Sequence, residues 1–276
     1  MHSIYRERHP KAVGCFETIV VADMKVPGAF KGHLAGCEGV AHVASDLSFS
    51  SDPNVVITGC VFGIKAILVE ARTELSIKSI LEEAWAPQPY TPDRAYAVYA
   101  ASKVACERAA WDSMRNKEPG FTLNTVLPNY TSGIILQPLS IPGAGSNVFN
   151  HPFEEAFVSK LRDDSPQWQV DVEDIAKLHL AALTFEDVHD ERLFGFAHKL
   201  NYNSFLQTFR FLAPEQEWPA DEIGRETLST MVDNKRSVEL LRRFEMDGWV
   251  PFNESVRRSC LGEYGDGFTA FDGTLP

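Results

Sequence analysis

Tyr99 and Lys103 stand four residues apart in the run Tyr96-Ala97-Val98-Tyr99-Ala100-Ala101-Ser102-Lys103, which continues Val104-Ala105-Cys106-Glu107-Arg108-Ala109-Ala110-Trp111. The run is rich in alanine and free of proline and glycine, so it predicts a helix. On a helix an i,i+4 pair shares one face. A phenol beside an ammonium can act as a general acid, because the cation stabilises the phenolate and lowers the tyrosine pKa from its ordinary value of about 10. The same spacing on any amphipathic helix also suits a packed tyrosine and a solvated lysine. The pair therefore needs support from the elements around it.

Those elements alternate. Residues 16–23 form a short β-branched run closed by Asp23 and predict a strand. Pro27-Gly28-Ala29-Phe30 opens a short helix through Leu34, ended by Gly36. Residues 39–45 predict a second, buried strand, and a long helix is expected from about Asn54 to Thr73. Strand, helix, strand, helix at this spacing argues for an α/β fold with a parallel sheet. The stretch 75–85 holds no convincing strand where the alternation calls for one. After the Tyr/Lys helix come a strand over 121–128, a Pro/Gly/Ser-rich loop over 138–150, a short strand near Trp168 leading into a helix with Asp174 at its N-terminus, and a strand over 192–197. Residues 1–10 read as the end of a charged helix stopped by Pro10.

Composition narrows the function classes. With 276 residues, 44% of them hydrophobic and 23% charged, the chain has the make-up of a soluble globular protein of one large or two modest domains. A net charge of −12 argues against nucleic acid or an anionic membrane as partner. Cys15, Cys37, Cys60, Cys106 and Cys260 are dispersed, without a Cys-x-x-Cys pair or a histidine cluster at metal spacing. No metal site is expected, and the thiols fit a reduced, cytoplasmic setting. The polar N-terminus does not read as a signal peptide, and the apolar run 55–69, interrupted by Lys65, reads as a buried helix. His42 and His179 read as satisfied interior histidines, and Asp171 and Asp174 as capping or turn residues.

Five features occur in order: Asp23 after a strand, His42-Val43-Ala44-Ser45, the Tyr99/Lys103 run, Pro128 after the next strand, and Val170-Asp171-Val172-Glu173-Asp174-Ile175-Ala176. Together they resemble the extended short-chain dehydrogenase/reductases of the NAD-dependent epimerase/dehydratase superfamily. The branch is that of dihydroflavonol reductases, cinnamoyl-CoA reductases and fungal aldehyde or ketone reductases, and the resemblance runs from about residue 12 to residue 258. It implies that Tyr99 donates a proton to a small-molecule carbonyl substrate, and that Lys103 lowers its pKa and holds the nicotinamide ribose. The hydride would come from the cofactor, NADP(H) ahead of NAD(H). Asp23 and Met24 would lie by the adenine, Val43, Ala44 and Ser45 by the ribose and pyrophosphate, and Pro128 by the nicotinamide amide. Each position also has an ordinary role, as a strand end, a core residue or a strand stop.

The resemblance implies pieces that the 276 residues do not show. The family opens with a strand, a Gly-x-x-Gly-x-x-Gly loop, a helix and a second strand, and the loop cradles the pyrophosphate. No such loop occurs here, and Gly59-Cys60-Val61-Phe62-Gly63 lies within a predicted helix. The expectation is a chain starting after that unit, shorter by about 30–40 residues. Losing two or three charge-assisted hydrogen bonds of about 1.5–3 kcal/mol each would weaken cofactor binding by orders of magnitude. The family's catalytic serine is carried onto neither Ser76 nor Ser79. The expected architecture is a Rossmann-like parallel sheet of about four or five strands, incomplete at the N-terminus, whose segment 16–23 pairs elsewhere or lies exposed. Residues 1–136 would form the partial dinucleotide-binding domain and 137–276 a smaller substrate domain, with 168–183 returning to the core. The alternative function is a catalytically impaired relative or a truncated gene product serving as a binding or interaction module.

Overall fold

The computed structural model describes residues 14, 17–71, 94–117, 120–134 and 153–261. They divide at 123/124 into two compact units, taken separately here. The first is built on two helices, α1 (Pro53–Ala71) and α2 (Ala95–Lys117). Proline suits the first turn of α1, where its missing N–H costs no bond. Asp52 caps that end, its Oδ1 accepting from the Asn54 N–H at 2.9 Å. Along α1, Val56, Cys60, Gly63 and Ile67 recur at helical spacing, and Val98, Ser102, Ala105 and Ala109 do so along α2. The two stripes meet in a small core of Val56, Ile57, Val98 and Ala105, with Cys60, Val61 and Ala101 packed against it. The α2 stripe is made of small side chains, which lets two helix backbones approach closely. Tyr99 and Lys103 each follow a buried stripe residue directly and so stand at its edge.

Residues 17–23 and 39–45 have no ladder partner among the described residues. This corrects the two strands expected there. A β-branched run becomes a strand only when a neighbour takes up its N–H and C=O groups. Here Val20 is 92% exposed and Val43 70% exposed. The helix expected over 27–34 is also corrected: residues 24–36 are a chain of turns. Gly28, Gly32 and Gly36 take φ of 79°, 77° and 78°, and a left-handed residue at every fourth position prevents a helix from propagating.

Among the described residues the second unit carries five strands in two sheets. β1 (Thr125–Pro128) pairs in parallel with β4 (Arg192–Gly195), in register Thr125 with Arg192. β2 (Tyr130–Ser132) runs parallel to β3 (Gln167–Asp171), which pairs antiparallel with β5 (His198–Leu200). The five strands are therefore rearranged into one parallel pair and one mixed sheet, within an α/β chain. The helices are α3 (Glu155–Asp163), α4 (Val172–Thr184), α5 (Tyr202–Leu212), α6 (Lys235–Arg242) and α7 (Phe252–Leu261).

Two apolar clusters hold this unit together. Val158, Leu161, Leu200, Phe205, Leu206, Phe209 and Val256 join α3, β5, α5 and α7. Val170, Leu178, Leu193, Leu240 and Leu241 join β3, α4, β4 and α6. Between strands and α7 lies a buried polar knot. The Gln169 amide donates to Ser132 Oγ at 2.7 Å and Ser255 Oγ at 2.9 Å, and the Gly133 N–H donates to Ser259 Oγ at 2.6 Å. Each such bond satisfies a group that would otherwise be costly to bury. The stretch 75–85, the loop 138–150 and residues 1–10 lie outside the described residues.

Candidate active site

The helix with the Tyr/Lys pair forms as its alanine content requires, and Lys103 lies on the face of Tyr99, its Nζ 5.2 Å from the ring centroid. The phenol ring is half-buried, with the Phe49 ring 5.1 Å and the Tyr96 ring 6.3 Å away between centroids. Burial raises the Tyr99 pKa above the ordinary phenol value, and the nearby Cys60 charge adds to the rise. This corrects the expectation that Lys103 lowers it. The ammonium sits over the ring, and burial, not the ammonium, sets the direction of the shift. Desolvation lowers the Lys103 pKa in turn, opposed by Cys60 and Cys106. His42 is lowered by burial and by the same ammonium, so it meets Lys103 as a neutral imidazole rather than a second cation.

The structure sets the other predicted residues along α1. The Asp23 carboxylate accepts from the Lys25 N–H at 2.8 Å, and Lys25 Nζ reaches Asp46 Oδ2 at 3.3 Å, tying 23–25 to the end of the 39–46 segment. Met24 packs over Gly63, its sulfur 3.5 Å from where a Cβ would stand, and the Lys25 side chain crosses Gly59. Ser45 Oγ lies 3.8 Å from Cys60 Sγ. Asp23, Met24, Val43, Ala44, Ser45, Tyr99 and Lys103 thus belong to one compact unit, and Pro128 to the other. There Pro128 ends β1 opposite Gly195.

These residues fit the nucleoside end of a dinucleotide: an exposed carboxylate at Asp23, an exposed apolar strip at Val43 and Ala44, a hydroxyl at Ser45 and an exposed lysine. They fit the pyrophosphate less well, because the α1 N-terminus already holds the Asp52 carboxylate. Asp171 and Asp174 serve the fold. Asp171 caps α4 through the Glu173 N–H at 2.8 Å, and Asp174 accepts from the Val250 N–H at 3.1 Å. Asp171 is thus the N-cap and Asp174 lies in the first turn, the capping and turn duty expected of the two. His179 Nδ1 meets the Ile175 carbonyl at 2.8 Å, as a satisfied histidine.

No family model matches the sequence. The chain is 32% identical over 285 residues to the NAD-dependent epimerase/dehydratase terH of Aspergillus terreus, spanning 91% of this chain and 82% of that protein. It is 33% identical over 277 residues to Aldehyde reductase 2 of Sporidiobolus salmonicolor, across 90% and 81% of the two chains. The chain belongs to the extended short-chain dehydrogenase/reductase family. Among solved structures of that fold, Gre2 of Candida albicans in complex with NADPH superposes with a TM-score of 0.63 at 21% identity, over 90% of this chain and 84% of that one. Vestitone reductase from alfalfa gives 0.60 at 17% identity, over 87% and 80%. Both carry the Rossmann-like architecture. Among the described residues no helix is long and apolar enough to cross a membrane, and no cluster of His, Cys, Asp and Glu could hold a metal ion.

Sequence reasoning passed over one group around the Tyr/Lys pair. Cys60 meets Val98, Ala101 and Ala105 only because α1 packs on α2, and no spacing along the chain announces that.

Proposed function

We propose that the chain is a nicotinamide-dependent reductase that converts the carbonyl of an aldehyde or ketone to an alcohol, with Tyr99 as proton donor. The observation that carries the reading is the Tyr99–Lys103 pair on one face of α2, in a family whose members include proteins named aldehyde reductase and ketoreductase. The raised pKa keeps the phenol protonated at neutral pH, the state from which it donates to a carbonyl oxygen. When bound, the cofactor supplies the hydride, which no side chain can. Asp23, Met24, Val43, Ala44 and Ser45 hold its adenosine end and Lys103 its nicotinamide ribose. We assign NADP(H) ahead of NAD(H), in line with the NADPH held by two Gre2 structures. Residues 1–136 serve the cofactor and 137–276 the substrate, in a cytoplasmic setting that keeps the thiols reduced.

A second reading, a binding module that uses no cofactor, is favoured by one observation. The segments carrying five of the assigned cofactor residues have no ladder partner among the described residues. Titrating the purified chain with NADPH and NADH, followed by nicotinamide fluorescence, separates the two. Saturable binding together with aldehyde-dependent NADPH oxidation is the expected result. No saturable binding up to millimolar cofactor overturns the reductase reading.

A further inference from the structure

Lys199, on β5, meets three partners of unequal strength, and the reductase reading uses none of them. Its Nζ donates to the Leu228 carbonyl at 2.9 Å, stands 5.5 Å from the centroid of the Trp168 ring, and lies 4.0 Å from Met231 Sδ. Trp168 faces Lys199 directly across the β3–β5 ladder. Two residues on, Asn201 Nδ2 donates to the Glu226 carbonyl at 3.2 Å. Residues 199 and 201 therefore hold 228 and 226 in reverse order, and the segment 226–231, which has no helix or strand of its own, runs antiparallel to the end of β5. An ammonium has three N–H donors, and a thioether is the poorest acceptor that these meet. Met231 is also the exposed methionine of the described residues, at 84%. Met24 packs over Gly63, Met246 packs against the cluster of Val170 and Leu178, and Met114 is half-buried.

We propose that Met231 is an oxidative modification site, converted by hydrogen peroxide to a sulfoxide that Lys199 takes as a hydrogen-bond partner, tightening segment 226–231 onto β5. The thioether sulfur attacks one peroxide oxygen and the O–O bond breaks. The departing hydroxide takes the proton left on the transferred oxygen and leaves as water. Sulfur gives up two electrons and the peroxide accepts them. The new oxygen is a strong, dipolar acceptor on an atom that already lies 4.0 Å from Nζ. It turns the weakest of the three contacts into a charge-assisted hydrogen bond. The flexible methionine side chain lets the oxygen of either sulfoxide epimer turn towards the ammonium. Segment 226–231 then carries a third tether, after those at Glu226 and Leu228. A reductase acting on methionine sulfoxide reverses the change.

The test needs no cofactor and so stands apart from the reductase reading. The full chain is treated with increasing hydrogen peroxide, digested with trypsin and analysed by mass spectrometry. Trypsin places Met24, Met114, Met231 and Met246 in separate fragments, 12–25, 109–115, 226–235 and 244–257. The expected first product is fragment 226–235 carrying one added oxygen, formed at least fivefold faster than the oxidised form of any of the other three. Hydrogen exchange of the intact protein, read on peptic fragments covering 226–231, measures the second half of the proposal. Exchange there should slow at least threefold on oxidation, and return to the starting rate after treatment with methionine sulfoxide reductases. Lys199→Leu should abolish the slowing and Lys199→Arg, which keeps a cationic donor, should retain it. In Met231→Leu, peroxide should leave exchange over 226–231 unchanged. The proposal is overturned if another of the four methionines oxidises as fast as Met231. It is overturned equally if oxidation leaves the exchange unchanged or speeds it, or if Lys199→Leu shows the same slowing as the wild type.

Discussion

Lys103 Nζ lies 5.2 Å from the centroid of the Tyr99 ring, over the phenol face. The cation is attracted to the ring while burial raises the pKa of the hydroxyl, and under the reductase reading the pair serves as the proton donor. Tyr99→Phe keeps the ring contacts with Phe49 and Tyr96 and removes the hydroxyl, and with it the proton to be donated. Under the reductase reading, kcat for NADPH-dependent aldehyde reduction should fall by about 10²–10⁴-fold, the usual weight of a general acid, while KM for the aldehyde holds. Steady-state kinetics check this, and a variant retaining a third of the wild-type kcat removes Tyr99 from the chemistry. Lys103→Met should instead raise the KM for NADPH by about tenfold, through loss of a charge-assisted contact of about 1.5 kcal/mol.

The two helices of the first unit were readable from sequence because a helix closes its hydrogen bonds within itself. Alanine content without proline or glycine decided α2, and the helix expected from about Asn54 forms as α1. Residues 17–23 and 39–45 have the composition of strands but no ladder partner among the described residues, since a strand's bonds belong to a partner elsewhere. In the second unit that partner exists. Gln167–Asp171 and Arg192–Gly195 form close to where the sequence places them, while Tyr130–Ser132, just beyond the Pro128 stop, was hidden by the proline. The site divides along the same line. Tyr99 and Lys103 are four residues apart on one helix and legible. Cys60 and Ser45 meet through packing, which no local pattern encodes.

Gly133 takes φ of 127°, and a Cβ there would stand 2.8 Å from both Asp171 Oδ2 and Val172 Cγ1. Backbone strain and steric overlap therefore act together at one position, beside the helix cap and the Ser259 contact. Gly133→Ala should cost about 2–4 kcal/mol of stability, read as a fall in Tm by calorimetry. An unchanged Tm would show that the loop relaxes freely.

Asn201 and Ser204 form a reciprocal cap at the start of α5. The Asn201 side chain accepts from the Ser204 N–H at 3.2 Å, and Ser204 Oγ accepts from the Asn201 N–H at 3.3 Å. The helix they open carries Phe205, Leu206 and Phe209 into the core, so fraying there is transmitted to packing. Asn201→Ala should lower the unfolding free energy by about 1 kcal/mol in urea, with the m-value unchanged. Asn201→Asp keeps the acceptor and should recover most of the loss.

Asp174 is fully buried, with the Val250 N–H on Oδ2. Burial first, with the charges of Asp171 and Glu173, pushes its pKa up to about 7 against the lowering by the Val250 N–H and Lys177. In the unfolded chain the same carboxyl ionises near pH 4, so between about pH 4 and pH 7 the folded state binds a proton that the unfolded state has lost. The stabilisation from this group is complete below the unfolded pKa and is lost as pH rises through the folded one. Asp174→Asn keeps the acceptor for Val250 and cannot ionise. Relative to the variant, the wild type should lose of the order of 2–4 kcal/mol on going from pH 4 to pH 8, three units at about 1.4 kcal/mol each being the upper limit. Urea unfolding of both proteins across that range measures the difference directly. Curves that stay parallel would mean that Asp174 remains ionised in the folded chain, with a compensating donor beside it.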